Sequence, residues 1–301
     1  MELLSVVLSV LVRGVGIGST YALLAVGFVI IYRATDVVNF AQPALMILGS
    51  YFTALYVHNA GMPFPVAVIA AMATMAVIGA LTERVALRPM VGEPPFSAAM
   101  VTVGVFFALF ILSFRLIGTN PISTGEPWGF ARLVVGDFEF RQIDIARTVL
   151  SLGAIGLTGL FLQRSKAGLA MRATAMDQET ALAQGVNVGR MFGLSWAISG
   201  ALAALAGVMI SAGSGGTVPL DAFIALKALP VIILGGLDSI KGSVVAGLII
   251  GVVEAIALSF NTTLTPLIGE NFYLVVPYII MILALMVRPY GLFGTAEVQR
   301  V

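Results

Sequence analysis

Cysteine is absent from this 301-residue chain, histidine occurs once, and the charged residues together make up only 10% of it. The missing thiols exclude disulfides, thiolate metal sites and thiol nucleophiles together. The lone imidazole, His58, sits at the end of an apolar run, and no His or carboxylate cluster has the spacing of metal ligands. The formal net charge of +1 gives no bulk attraction to nucleic acid or to an acidic substrate. A phosphate-binding Gly-x-x-x-x-Gly-Lys-Ser/Thr order is missing too, because "GGLDSIKGS" at 235–243 has the residue types in the wrong order. These gaps argue against an enzyme: no catalytic residue, metal site or cofactor is assigned, and the chain has no evident means of binding ATP itself.

What is present is apolar sequence. Hydrophobic residues make up 59% of the chain and mean hydropathy is +1.04, far from a soluble domain with its roughly 25% charged residues. A helix needs about 20 mostly apolar residues to cross a bilayer, and runs of that kind fall near 14–32, 37–57, 64–81, 96–118, 148–163, 191–212, 240–260 and 272–288. A ninth run, 222–236, is short and is followed by the Gly- and Ser-rich break at 235–243, which reads as a tight turn or a re-entrant element. The expected fold is therefore all-α: one polytopic bundle over 1–301 with about eight to nine membrane segments. An open sheet is excluded because lipid leaves its edge groups unpaired. The opening "MELLSVVLSVLVRG" lacks a basic leading region and a small-residue cleavage site, so it reads as a retained, interfacial or half-inserted lead-in to the first span.

Basic residues orient the spans. Placing 33–36, 82–95, 164–190 and 289–301 on one face gathers Arg33, Arg84, Arg88, Arg164, Lys166, Arg172, Arg190, Arg288 and Arg300 there, and makes that face cytoplasmic. The opposite loop, 119–147, balances Arg132, Arg141 and Arg147 against Glu126, Asp137, Glu139 and Asp144. Within it, "RLVVGDFEF" reads as a short extracytoplasmic hairpin around Gly136-Asp137.

The loop 164–190 is punctuated rather than random. Thr174-x-x-Asp177 is a helix-start signal, 178–184 are mostly good helix formers, Gly185 supplies a left-handed stop and Asn187 caps the next helix. A short helix is expected between two spans, either a surface element that reverses the chain or a rigid knob for a groove on a cytoplasmic partner. Ala175, Ala181 and Ala183 form its small face.

Polar groups within apolar runs are the candidates for a path. Arg33 and Asp36 read as a short turn between the first two spans, and Thr20, Tyr21, Asn39 and Gln42 lie at or near that seam. These amides and hydroxyls either line a path for a small zwitterion or satisfy helix ends and interhelical contacts. Glu254, beyond the small-residue pair Gly247 and Gly251, either meets a substrate ammonium or forms a structural pair with Arg115, Lys227 or Arg13. Gly235 and Gly236 mark the broken segment beside it.

Six stretches together resemble the permease family of branched-chain amino acid ABC importers, the smaller of its two permeases. They are "YALLAVGFVIIYRATDVVNFAQ", "ERVALRPM", "AGLAMRATAMDQETALAQGVNVGRM", "ISGALAALAGVM", "ILGGLDSIKGSVVAGLIIGVVE" and "LMVRPYGLFG", and the resemblance they carry covers nearly the whole chain. The resemblance implies half of a translocation path in a bacterial inner membrane, paired with a second related permease, two cytoplasmic ATPases and an extracytoplasmic binding protein. It also implies that Asp177, Gln178, Glu179, Ala181 and Gly185 form the ATPase contact. Pro43 departs from the glycine that commonly follows this motif, which leaves the fold intact but bears on selectivity. A secondary transporter or channel for a small polar solute is the rival, sharing the broken helix and the buried carboxylate; within the family, a urea or short-amide importer is the variant.

Overall fold

The computed structural model describes residues 2–129, 131–136 and 138–294; Asp137 of the expected turn and Arg300 of the basic count lie outside them. Helices dominate. Six of the described ones are long and apolar enough to cross a membrane: Ser5–Thr35, Phe64–Met90, Pro95–Ile117, Gln142–Arg164, Val188–Ser214 and Ile240–Ser259. The chain is thus a mostly helical, multi-pass membrane protein.

In chain order the helices are α1 (Glu2–Thr35), α2 (Gln42–His58), α3 (Phe64–Thr82), α4 (Pro95–Ile117), α5 (Gln142–Arg164), α6 (Lys166–Met176), α7 (Gln178–Ala183), α8 (Val188–Ser214), α9 (Ala222–Ala225), α10 (Ala228–Gly235), α11 (Ile240–Ser259), α12 (Asn261–Ile268) and α13 (Val276–Val287). Strands β1 (Arg132–Val135) and β2 (Phe138–Arg141) pair antiparallel, with Arg132 opposite Arg141.

Four expectations need correction. The first residues join the first long helix directly, because nothing between Glu2 and Thr35 interrupts α1. The segment 222–236 is two short helices rather than one unbroken helix: Pro230 has no N–H to give the Leu226 carbonyl, and that carbonyl accepts from Leu229 at 2.9 Å instead. The run 272–288 divides into a 3₁₀ turn, Phe272–Leu274, and the 12-residue α13. The loop 164–190 holds an additional helix, α6, started by the Ser165 hydroxyl accepting from Gly168 N. Thr174 lies inside α6 and spends its hydroxyl on Ala170 O, so it caps nothing.

The chain divides into two compact units. The first comprises the described residues of Met1–Val29, Trp128–Ser151 and Leu226–Val301, the second those of Ile30–Pro127 and Leu152–Ala225. In the first, Gly14 and Gly18 of α1 meet Gly247 and Gly251 of α11 backbone to backbone: a Cβ on Gly251 would strike Gly18, and one on Gly18 would strike Gly247 and Leu248. Small residues four apart are what allow such an approach in lipid. Gly235 packs on Gly242 in the same way, which folds α10 back along α11. In the second unit α2, α3 and α8 interlock around Gly49 against Ala204, Gly79 against Trp196, Gly200 against Met75 and Gly207 against Met46.

Candidate functional site

The seam between the first two helices lies in the second unit. Asp36, at φ 53, stops α1 in the left-handed region, its N–H still bonded to Tyr32 O at 2.7 Å. The chain then runs to Asn39 and Gln42, both completely buried. Asn39 Oδ1 accepts from Ala41 N at 3.0 Å, while its Nδ2 donates to Gln42 Oε1 at 3.1 Å. Ser199 of α8 donates to the same Gln42 Oε1 at 2.8 Å, and Gln42 Nε2 returns a bond to Ser199 O at 3.3 Å. Thr102 of α4 accepts from Phe40 N at 3.0 Å and donates to Val38 O at 3.2 Å. The result is a neutral network in which the oxygen and the nitrogen of both side-chain amides each have a partner. Pro43 sits in the first turn of α2, where its missing N–H orphans nothing.

The charged centre lies in the first unit. Glu254 of α11 is 4% exposed, Lys227 6% and Tyr21 4%. Lys227 Nζ donates to Glu254 Oε1 at 2.5 Å and Tyr21 OH to the same oxygen at 3.2 Å. Glu254 Oε2 is buried and has no hydrogen-bond partner among the described residues. The ammonium also stands 5.8 Å from the Tyr21 ring centroid and 5.7 Å from that of Tyr273, within cation–π range. Of the three cations considered for Glu254 from the sequence, Lys227 is the one that pairs with it. Lys227 occupies the cap position of α10, in the gap left after α9. Thr20 donates to Gly16 O in its own helix at 3.1 Å. Gly235 and Gly236 form the far end of α10, where Gly236 takes φ +102 and leaves no room for a Cβ against Gly294. The α10 carbonyls there are closed off by Leu292 N to Leu234 O at 2.7 Å and Phe293 N to Gly235 O at 3.1 Å.

The loop 164–190 carries a third feature, again in the second unit. Asp177 caps α7, accepting from Glu179 N at 2.9 Å and Thr180 N at 3.0 Å, and from the Thr180 hydroxyl at 2.6 Å. Those donors, the Thr180 hydroxyl foremost, hold the Asp177 carboxyl below its ordinary value. Gly185, at φ +82, ends the helix with N–H to Leu182 O at 2.9 Å, and Asn187 caps α8 by accepting from Arg190 N. Ala181 faces inward, packed with Ala34, Val188 and Phe192, while Ala183 is exposed and Ala175 lies on α6, so the three alanines drawn from the sequence do not form one exposed face. Met176, Glu179, Leu182 and Ala183 face outward. Gln178 Nε2 reaches the Ala34 carbonyl at the end of α1, at 3.4 Å. Beside α7 opens a cleft of about 200 Å³ lined by Asp36, Glu83, Gln178, Phe192 and Trp196 among others.

Several polar partners escape a reading of the sequence. Arg88 grips the 2%-exposed Glu83 through Nε at 3.1 Å and Nη2 at 2.8 Å, and the same Nη2 donates to Gly189 O at 2.6 Å. A π-turn over Glu83–Leu87 sets this pairing, and its sequence signal is two opposite charges five apart at a span end. Ser199 and Thr102 are legible only as hydroxyls in apolar runs. Among the described residues, no group of three His, Asp or Glu side chains is placed to hold a metal ion.

Residues 10–285 match the family described as the permease component of the branched-chain amino acid transport system. The chain is 31% identical to the high-affinity branched-chain amino acid transport system permease protein BraD of Pseudomonas aeruginosa, over 97% of each chain. To the corresponding protein LivH of Salmonella typhimurium it is 30% identical, over 96% of each. A chain of PsaBC from Streptococcus pneumoniae, solved in complex with Fab, is similar in fold, with TM-score 0.51 and 13% identity over 92% of this chain and 91% of that one.

Proposed function

This chain belongs to the permease family of branched-chain amino acid transport systems, and from that premise we propose that it forms half of the translocation path of an ATP-driven importer for branched-chain or related small amino acids. In this reading residues 1–301 are one transmembrane domain of the bacterial inner membrane, crossed about eight to nine times, with the N-terminus and the hairpin 132–141 outside and α6 and α7 in the cytoplasm. A second related permease completes the path, two cytoplasmic ATPases drive it, and an extracytoplasmic binding protein delivers the substrate. ATP-driven closure of the ATPases moves α7, the permease pair rocks, and the path opens outward; hydrolysis resets it.

The observation that carries the reading is α7. It is capped at one end, stopped at the other, tied to α1 through Gln178 and to α8 through the Ala181 cluster, yet it shows Glu179, Leu182 and Ala183 to its surroundings, next to the exposed Met176 that ends α6. A helix this firmly seated transmits a push rather than absorbing it, and its mixed outer face suits a helix-in-groove contact. The ATPase-facing set therefore keeps Asp177, Gln178, Glu179 and Gly185, with Ala181 acting from within as a support.

The test is ATP-dependent uptake by the complex reconstituted with its ATPases, second permease and binding protein. Glu179→Lys and Gly185→Pro are expected to insert and assemble normally but to hydrolyse ATP without transport, because both alter α7 and leave the buried core alone. Wild-type uptake in both variants, or uptake by this chain alone on an ion gradient, would refute the proposal.

A further inference from the structure

The charged centre of the first unit has unused capacity. Lys227 has three N–H donors, of which one is bonded to Glu254, and Glu254 Oε2 is a buried acceptor without a partner among the described residues. A pair kept only for packing is an inefficient use of two buried charges, since well-packed neutral groups are commonly as stable. The pair also sits where the α9–α10 segment is broken, and discontinuous helices within membranes are characteristic of sites for polar substrates.

We infer that Lys227 and Glu254 together form the recognition site for the head group of a free α-amino acid, with the substrate carboxylate on Lys227 and its ammonium on Glu254. The inference rests on the amino-acid importer reading and deepens it. The charges balance: a zwitterion separates one ion pair and replaces it with two, so no net charge is created in the buried site. A urea or short-amide molecule lacks the full charges needed to part Lys227 from Glu254 and leaves the pair closed. Tyr21 serves as a positioning residue, holding Glu254 Oε1 through its hydroxyl and flanking the ammonium with its ring.

Uptake by the reconstituted complex, with its own binding protein, decides the matter. Lys227→Met/Glu254→Gln removes both charges and leaves no buried charge unpaired, so membrane insertion and assembly of the complex, read by co-purification, are expected to persist. Uptake of leucine and related free amino acids should fall on the order of 100-fold, because the polar head group loses its partners. Uptake at about the wild-type rate by this double variant would overturn the inference. If the double variant fails to assemble, Glu254→Asp decides: a retracted carboxylate should raise KM for the amino acid while leaving the saturated rate nearly unchanged, and an unchanged KM would overturn it. A wild-type complex that takes up urea or an amide but no amino acid defeats the amino-acid reading itself, whereas wild-type amino-acid uptake with unaffected variants defeats the charged site alone.

Discussion

The Glu254 centre of the first unit holds two full charges and leaves one carboxylate oxygen open, whereas the Asn39–Gln42–Ser199 centre of the second is neutral and closes on itself. Both are buried to a similar degree. A closed neutral network fixes the geometry of a helix start, because every amide atom is already committed. A charged pair with spare capacity keeps the means to exchange partners. The difference explains why polarity alone is a poor guide to a path within a membrane: a buried polar atom left without a partner, as at Glu254 Oε2, says more than the number of polar atoms.

The largest effect should come from breaking the charged pair on one side only. Lys227→Met strands a buried carboxylate and is expected to cost about 3–5 kcal/mol, while the double Lys227→Met/Glu254→Gln variant returns close to the wild type. Thermal unfolding of the purified protein in detergent checks this; single and double variants of equal stability would show that the pair is not buried as described.

An intermediate effect is expected at the neutral centre. Gln42→Ala removes the acceptor for both the Ser199 hydroxyl and the Asn39 amide, at a cost of roughly 1–3 kcal/mol for the groups left unpaired. In contrast to the Lys227 variant, its loss should not be rescued by neutralising a charge elsewhere. The same unfolding assay reads it, and rescue of Gln42→Ala by the Glu254→Gln change would erase the distinction between the two centres.

The smallest effect tests whether an exposed polar cap obeys the closed rule. Because the folded-state carboxyl of Asp177 is lowered, its capping contribution is fully present above the ordinary carboxylate value near ~3.9 and is lost only as pH falls through the depressed one. Hydrogen exchange at the Glu179 and Thr180 amides should therefore show constant protection, after correction for intrinsic rates, from neutral pH down to mildly acidic pH, with loss on further acidification. In Asp177→Asn, which keeps a capping acceptor without a titrating group, that acid-induced loss should vanish.

Much of the helical order is legible in the residues themselves. Long apolar runs announce the membrane helices because lipid demands unbroken backbone bonding, and α2, α3, α4 and α8 lie close to the runs read from composition. The hairpin follows from its turn residues, and the α7 stop and the α8 cap follow from Gly185 and Asn187. The break at Leu226–Lys227 is hidden from hydropathy, although Pro230 supplies the signal: hydropathy counts side chains and does not see a missing N–H. The alanines and charges of α6 look like loop to a hydropathy window, while Ser165 starts the helix all the same.

The sequence by itself determined that this chain lives in a membrane, which family it resembles, and where some helices start and stop, as at Gly185 and Asn187, since caps, prolines, glycines and apolar length act over a few residues. Tertiary structure alone decided that Glu254 takes Lys227 rather than Arg13 or Arg115, that Gln42 pairs with Ser199, and that Ala181 turns inward. Partners far apart in the chain are chosen by how closely helices approach, and here that approach is set by glycines, such as Gly18 against Gly247, whose contacts no local pattern records.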